Sequence, residues 1–435
     1  MSSEHSAHIE DTRSHTRQRT VHRVAITGIG CVTPIGIGVE ELWSGLRAEK
    51  SAVTRATRFE TSIFRSHCAA EVSDFVAENY LDVKRVKRMD RFGQFSVVAS
   101  KLALENSGLN LDLEDRDRVG AMMGTALAGI AYAEEQAGRF IHGGLRAVDA
   151  TLALAVFGGS SSCNIAIEFG VNGPNITNGM SCASGTIAIG EAFRLIRDGS
   201  ADVMIAGGAE APLATLCYGA FALIRAMSTR NDDPATASRP FDANRDGFVM
   251  GEGASVLILE EWSHAEARGA HIFAELIGYG TTNDAHHMTA PLPSGAQAAR
   301  CIREALRDAD VLPTDVDYIN AHGSSTPLND PTETSAIKQV LGEHAYRIPV
   351  SSTKGYYGHA LGASGAIETA ISALVLERGW IPPTLNFETP GDGCDLDYVP
   401  RVGRDASPQI VLTNSFGFGG INASLVLRKA PSVPV

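Results

Sequence analysis

The stretch Gly179-Met180-Ser181-Cys182-Ala183-Ser184-Gly185 restricts the fold of this chain more than any other. Gly173-Pro174 breaks the chain ahead of it, and Asn175-Ile176-Thr177-Asn178 reads as a short extended entry. The small-residue run to Arg197, closed by Gly199, reads as a buried helix. Cys182 is therefore expected at a sharp strand-to-helix turn, which lifts a side chain clear of a sheet and aims it past the unpaired amides of a helix N-terminus. The partial positive charge there favours thiolate, and thiolate is the nucleophile. The alternative is a small buried packing cysteine.

The rest of the composition narrows the classes. A chain of 435 residues can bury a large core, in one big domain or two fused ones. Its 44 glycines fall in no repeat tract, so they point to tight turns and close backbone packing in an α/β protein. A net charge of −13 argues against nucleic acid as the main partner. The seven cysteines are odd in number and show no C-x-x-C pair, so neither a disulfide framework nor a zinc site is indicated, and a reducing cytoplasm fits. The first twenty residues are polar and lack the apolar core of a signal peptide. The most apolar long window, Met204 to Ile224, contains Glu210 and Pro212 and reads as core, not as a membrane span.

In chain order, residues 1–22 read as a disordered arm. Val24 to Gly30 is a continuous apolar run ending in glycines, as in a central strand. A Rossmann nucleotide loop is disfavoured there, because no third glycine stands at the right offset and Pro34 follows. Lys84, Arg85, Lys87, Arg88 and Arg91 form a basic cluster, either a solvated helix face or a docking patch for an acidic partner. Asp242, Asn244, Asp246 and Gly247 match the opening of a calcium loop, but Gly253 stands where the closing glutamate belongs. The chain then starts again: Ile272 to Tyr279 is comparable to the opening strand, and Ala254–Leu259 is echoed by Ala423–Leu427. Two similar halves, 23–265 and 266–430, are expected.

The second half holds three more motifs. His322 stands at a strand end in Ala321-His322-Gly323-Ser324-Ser325-Thr326-Pro327. After it, Asp330 reads as the cap of a helix beginning at Pro331, with Glu333 closing a capping box. His359 follows in Ser352-Thr353-Lys354-Gly355-Tyr356-Tyr357-Gly358-His359, a loop whose glycines let imidazole and backbone approach a ligand. Lys354 is either a surface lysine or a buried partner of Glu368. Asn414-Ser415-Phe416-Gly417-Phe418-Gly419-Gly420 ends a strand in a tight glycine turn whose amides can face a developing oxyanion, unless it is a plain hairpin with two core phenylalanines.

These four motifs, in this order, resemble the elongating β-ketoacyl-acyl carrier protein synthases of the thiolase superfamily, nearest the type II enzymes, over about Val24 to Leu427. The resemblance implies a thiolase-like five-layered αβαβα fold from two duplicated halves, and a dimer. It implies that Cys182 is the acyl-accepting nucleophile, that His322 and His359 support decarboxylation of a malonyl donor, and that Lys354 is held by Glu368. Phe418 resembles the gating phenylalanine, its amide joining that of Cys182 in the oxyanion hole. Ser324 and Thr326 resemble the hydroxyls holding the phosphopantetheine arm, Leu127 a residue lining the acyl pocket, and Lys84, Lys87 and Arg88 the docking site of an acidic carrier protein. No metal or redox cofactor is required by that chemistry.

Three rivals remain to be weighed. A degradative thiolase needs a second reactive cysteine at the glycine turn, where Phe418 stands; Cys394 lies outside it. An initiating synthase with a Cys-His-Asn site is opposed by Lys354 and His359. A non-catalytic chain-length subunit lacks the nucleophile that Cys182 supplies. The resemblance places Asp149–Cys163 at the pocket floor on a dimer interface. There Leu-Ala-Val-Phe-Gly-Gly-Ser-Ser-Ser replaces bulk with hydroxyls, so a cavity unlike that of a housekeeping fatty-acid enzyme is expected. The catalytic subunit of a dissociated polyketide or polyene synthase, paired with a chain-length subunit, is the second reading.

Overall fold

The computed structural model describes residues 21–431. Ten of the eleven strands of its large sheet form two matching sets, and the short Gly36–Ile37 strand pairs beside the first of them. The first set is β1 (Val24–Thr33), β2 (Val119–Gly124), β3 (Asn175–Asn178), β4 (Val203–Glu210) and β5 (Gly253–Glu261). The second is β6 (Ala274–Asn283), β7 (Tyr318–Asn320), β8 (Val350–Ser351), β9 (Ile410–Gly417) and β10 (Ile421–Lys429). Their spatial order is β8-β7-β9-β10-β6-β1-β5-β4-β2-β3. Each half thus repeats one order, first-fifth-fourth-second-third, with parallel pairs at its outer edge and antiparallel pairs toward the junction of β1 and β6.

Six helices complete the repeat: α1 (Arg91–Ser107), α2 (Ser160–Phe169), α3 (Ser184–Arg197), α4 (Ala296–Asp308), α5 (Asn329–Leu341) and α6 (Ser364–Arg378). α1 packs on β1 and β5, and α4 packs on β6 and β10, as the outer layers. α3 and α6 pack on strands of both halves and on each other, forming the central layer. The result is the five-layered αβαβα fold. α6 is buried over Ser364–Leu376, as a helix with sheet on both sides must be.

The glycines of the opening strand find their reason here. A Cβ on Gly28 would stand 2.4 Å from the carbonyl oxygen of Ala103 in α1, and one on Gly278 of β6 would stand 2.4 Å from that of Ala305 in α4. Both positions follow a register shift against the neighbouring strand. These glycines let an outer helix close onto the sheet; they form no phosphate loop.

Of the residues expected as an N-terminal arm, 1–20 lie outside the described residues, while His22 is docked, its N–H donating to the Arg197 carbonyl. The calcium-like loop is internally satisfied: the Asp242 carboxylate accepts from Arg239, Asn244, Glu388 and Thr389. No described helix is long and apolar enough to cross a membrane.

Candidate active site

The ends of β3, β7 and β9 and the turn before α6 meet at one cavity of ≈ 360 Å³, lined among others by Cys182, His322, His359, Ser324, Thr326 and Phe418. Cys182 sits in a 3-10 turn, Ser181–Ala183, that runs directly into α3. Ser181 takes φ 52, the left-handed bend that makes the elbow. The thiol is buried, and burial pushes it up to about 11, against the opposing pull of the Ser181 hydroxyl, the Lys354 charge and the Phe418 amide. The expectation of a resting thiolate is therefore corrected. Removal of the sulfur from water outweighs the helix terminus, and the resting side chain is a thiol.

His322 follows β7. Its N–H and that of Gly323 donate to the two oxygens of Glu333, at 2.9 and 2.8 Å. This overturns the capping box: α5 begins at Asn329, whose N–H donates to the Thr326 hydroxyl at 3.2 Å, and Asp330 accepts from the Phe241 N–H at 2.7 Å. Buried acids are drawn to unpaired loop amides, and the S-x-x-E-like spacing concealed that use.

Lys354 is fully buried and pairs with Glu368 of α6. Its ammonium donates to the His322 carbonyl at 2.5 Å and lies 3.4 Å from His322 Nδ1. A protonated lysine only donates, so His322 Nδ1 accepts and its proton resides on Nε2. His359 is fixed by its own backbone, N–H to the Val249 carbonyl and carbonyl to the Gly251 N–H. Its Nδ1 lies 2.8 Å from the Ser364 hydroxyl. The two imidazole rings stand 5.3 Å apart at 83°. Burial, reinforced by Lys354, holds both well below the ordinary histidine range, so both are neutral at pH 7. Such a pair can donate hydrogen bonds to a developing anion or take a thiol proton.

On the opposite wall, a Cβ on Gly417 would lie 3.1 Å from the Cys182 amide nitrogen, so the glycine turn closes against the elbow. The Phe418 ring is half-buried and stacks on Phe221 at 6.3 Å. The hydroxyls of Ser324 and Thr326 are 2.9 Å apart on the cavity wall. Leu127 stands outside this cavity, packed in the apolar cluster that also contains Cys182.

Within the basic cluster, Arg85 pairs with Glu168 and Arg91 with the buried Glu252, leaving Lys84, Lys87 and Arg88 exposed. The Ser160–Ser162 hydroxyls are not among the lining of this cavity. Ser161 bonds Ser96 of α1, Ser162 accepts from Thr177, and Ser160 donates to the Ala155 carbonyl. The expectation of a hydroxylated cavity floor is corrected: a helix packed on another helix uses those groups internally. Sequence reasoning missed Glu333 as the holder of His322, Ser364 as the partner of His359, and Glu210. Only Glu210 carried a local signal, an acid closing the strand that contains Gly207-Gly208.

Two family descriptions match most of the chain: the Beta-ketoacyl synthase N-terminal domain at residues 21–265, and the Beta-ketoacyl synthase C-terminal domain at residues 273–388. This chain belongs to the β-ketoacyl synthase family. The synthase is 46% identical over 407 residues to a Synechocystis sp. protein described as 3-oxoacyl-[acyl-carrier-protein] synthase 2, covering 94% of this chain and 98% of the relative. A Coxiella burnetii protein of the same description is 45% identical with the same coverage. Among solved structures, the synthase is similar to a type II PKS acyl-carrier protein in complex with its ketosynthase bound to the hexaketide, with TM-score 0.88 and 38% identity, over 94% of this chain and 100% of that one. It is also similar to the ishigamide ketosynthase/chain length factor, with TM-score 0.89 and 36% identity at the same coverage.

Proposed function

We propose that this synthase carries out decarboxylative Claisen condensation, joining an acyl group on Cys182 to malonyl-acyl carrier protein to give 3-oxoacyl-acyl carrier protein. The observation that carries the reading is the cavity itself: one buried thiol, two neutral imidazoles and a glycine-turn amide converge in it. The Cys182 sulfur attacks the acyl thioester, its proton passes through a neutral imidazole to the departing pantetheine thiolate, and the acyl group is held as a new thioester. The amides of Cys182 and Phe418 face the oxyanion of that step. The malonyl donor then loses CO2, and the electron pair of the broken C–C bond becomes an enolate whose oxygen accepts from His322 and His359. The enolate carbon attacks the acyl carbonyl, a C–C bond forms, the C–S bond to Cys182 breaks, and the released thiolate takes a proton from solvent through an imidazole. Lys354, held by Glu368, keeps His322 in its donating tautomer. Ser324 and Thr326 hold the phosphopantetheine arm, and Leu127 borders the acyl group. No resident metal or redox cofactor enters these steps; the substrates arrive on the carrier protein's arm.

Lys84, Lys87 and Arg88 dock the acidic carrier protein; the relatives' printed name and the solved ketosynthase complex both support a carrier-protein partner. A dimer is supported by the exposed apolar face of the first half, where Phe140, Ile141, Leu145, Leu154 and Phe157 are uncovered and β3 leaves a sheet edge open. We favour a homodimer acting in fatty-acid type elongation in the cytoplasm. The second reading is a type II polyketide or polyene ketosynthase paired with a chain-length factor, favoured by the solved structures it resembles. The chain expressed alone separates them. A homodimer that elongates long saturated acyl groups supports the first. An insoluble or inactive chain rescued by a neighbouring homologue overturns it. In either case acyl donor should label Cys182; label on Cys31, Cys217 or Cys394 with Cys182 unmodified overturns the assignment of the nucleophile.

A further inference from the structure

Glu210, the last residue of β4, is fully buried close behind the cavity. Its carboxylate accepts from four donors: the Ala126 N–H at 2.6 Å, the Leu127 N–H at 3.1 Å, the Thr125 hydroxyl at 3.1 Å and the Gly362 N–H at 3.0 Å. Three of these come from the loop after β2 and one from the turn before α6. Each of those segments holds a non-glycine residue in the left-handed region, Ala128 at φ 49 and Leu361 at φ 41. Such conformations persist only where the surroundings over-determine them. The packing leaves no slack, since a Cβ on Gly362 would stand 2.4 Å from the Ala126 nitrogen and 2.7 Å from Glu210 Oε2. Leu361 lines the catalytic cavity, and it shares with Cys182 and Leu127 one apolar cluster. Beyond Leu127, a Cβ on Gly129 would meet the Ala155 carbonyl oxygen at 2.6 Å, so the same loop is also pressed against the Leu152–Ala155 helix.

We propose that Glu210 is a positioning residue for the acyl group, clamping the Ala126–Ala128 loop to the Leu361 turn so that Leu361 holds its place on the cavity wall and Leu127 backs it from the apolar cluster around Cys182. It acts through Leu127 and Leu361 and touches no reacting atom. The inference rests on the acyl-transfer reading above only for what the clamped wall faces; the clamp itself is read from the hydrogen bonds.

Glu210 charge also reaches Cys182 and Cys217, raising both thiols, while Lys354 is the cation facing Cys182 and the neutral His322 and His359 share its cavity. Burial lifts the carboxyl of Glu210 itself to about 7, so its charge acts on Cys182 above that pH and fades below it. The test uses the full chain with Glu210→Gln. Self-acylation is measured with short, medium and long saturated acyl groups on carrier protein, and Cys182 alkylation by iodoacetamide is measured at pH 8 and pH 6. The ratio of long- to short-chain acylation should change by about tenfold, and alkylation should rise roughly threefold at pH 8 but not at pH 6. A merely structural role lowers the melting temperature and leaves the chain-length ratio as in wild type. A folded variant with the wild-type chain-length ratio overturns the proposal. Should Glu210→Gln not fold, Thr125→Val keeps the charge and removes one donor, together with the hydroxyl that accepts the Ala128 N–H. It should shift the ratio in the same direction by about twofold, and an unchanged ratio overturns the clamp. If wild-type protein takes no acyl group from any carrier thioester, the acyl-transfer reading fails, and amide hydrogen exchange at Ala126, Leu127 and Gly362 decides the clamp: faster exchange in Glu210→Gln supports it and an unchanged rate overturns it.

Discussion

The elbow before α3 and the elbow before α6 occupy equivalent places in the two halves, and they differ at one residue that matters. Ser181-Cys182-Ala183-Ser184-Gly185 stands in the first half and Leu361-Gly362-Ala363-Ser364-Gly365 in the second. Both form a 3-10 turn entering a helix, and both open on a left-handed residue, Ser181 at φ 52 and Leu361 at φ 41. The strand ends that face them are also equivalent, Glu210 closing β4 and Gly417 closing β9. Each strand end faces the other half's elbow. Glu210 fills the amide site at Gly362 with a built-in carboxylate, whereas Gly417 brings only backbone to the Cys182 amide. One elbow is thus an anion site already filled and the other is left open, which is where an acyl oxyanion would be received. Duplication supplied two similar frames, and the chemistry lies in what fills each.

The largest effect should come from breaking the open elbow. Cys182→Ala should remove condensation to background while leaving the fold intact, because Gly362 offers no second thiol; carrier-bound product is measured by mass spectrometry. Next come the histidines of the second half. His322→Ala or His359→Ala should slow CO2 release from malonyl-carrier protein by ~10² to 10³ and self-acylation of Cys182 less, because the remaining imidazole can still relay the thiol proton. Equal loss of both steps would make the two histidines scaffold for the thiol instead.

The contact between the two elbows can be tested directly. A Cβ on Gly365 would stand 1.9 Å from Thr186 Oγ1, and one on Gly185 2.9 Å from the Ala366 nitrogen, so each first-turn glycine admits the other helix. Gly365→Ala should destabilise by about 1–3 kcal/mol, read from the denaturant midpoint, and Gly185→Ala by a similar amount. No change at either position would show that the central helices are less tightly joined than their glycines require.

Much of this was legible beforehand. The duplicated halves, the elbow cysteine and the two glycine-flanked histidines follow from local patterns, since glycines and strand ends are local features. What stayed hidden is long-range. The repeated Ala-Ser-Gly of the elbows is too short to stand out alone. Glu333 and Glu210 reach loops 10 and 84 residues away, which no spacing rule reads. The resting state of Cys182 is likewise a burial effect, set by everything packed around it. The Ser160–Ser162 run misled because hydroxyls look polar in sequence, although α1 and β3 absorb them.

A smaller effect belongs to the exposed basic surface of the first half. Reversing Lys84, Lys87 and Arg88 to glutamate should raise the apparent KM for acyl carrier protein at low salt, with kcat held and with a weaker effect at high salt. An unchanged KM in a folded variant returns these residues to a solvated face.

The smallest effect concerns the last turn of each half's fifth strand. β10 carries Arg428, whose guanidinium lies 3.7 Å from Glu275, while β5 carries the buried Glu260 at the matching end. Glu260 is met by Arg268 at 2.7 Å and by His264 Nδ1 at 2.6 Å, and His264 Nε2 reaches Glu114 at 2.9 Å. Burial works to lower the His264 pKa, but the two carboxylates outweigh it and the imidazole is raised above its ordinary value. A raised folded-state pKa means the imidazolium contributes stability that is fully present below the unfolded value near 6.5 and is lost as pH rises through the folded value. Wild-type melting temperature should therefore fall modestly from pH 6.5 upward. His264→Gln should flatten that slope and cost less than about 1 kcal/mol at pH 6, since the site is partly solvated. A variant that keeps the wild-type slope would place the pH dependence elsewhere and leave the β5 end as rigid without its imidazolium as with it.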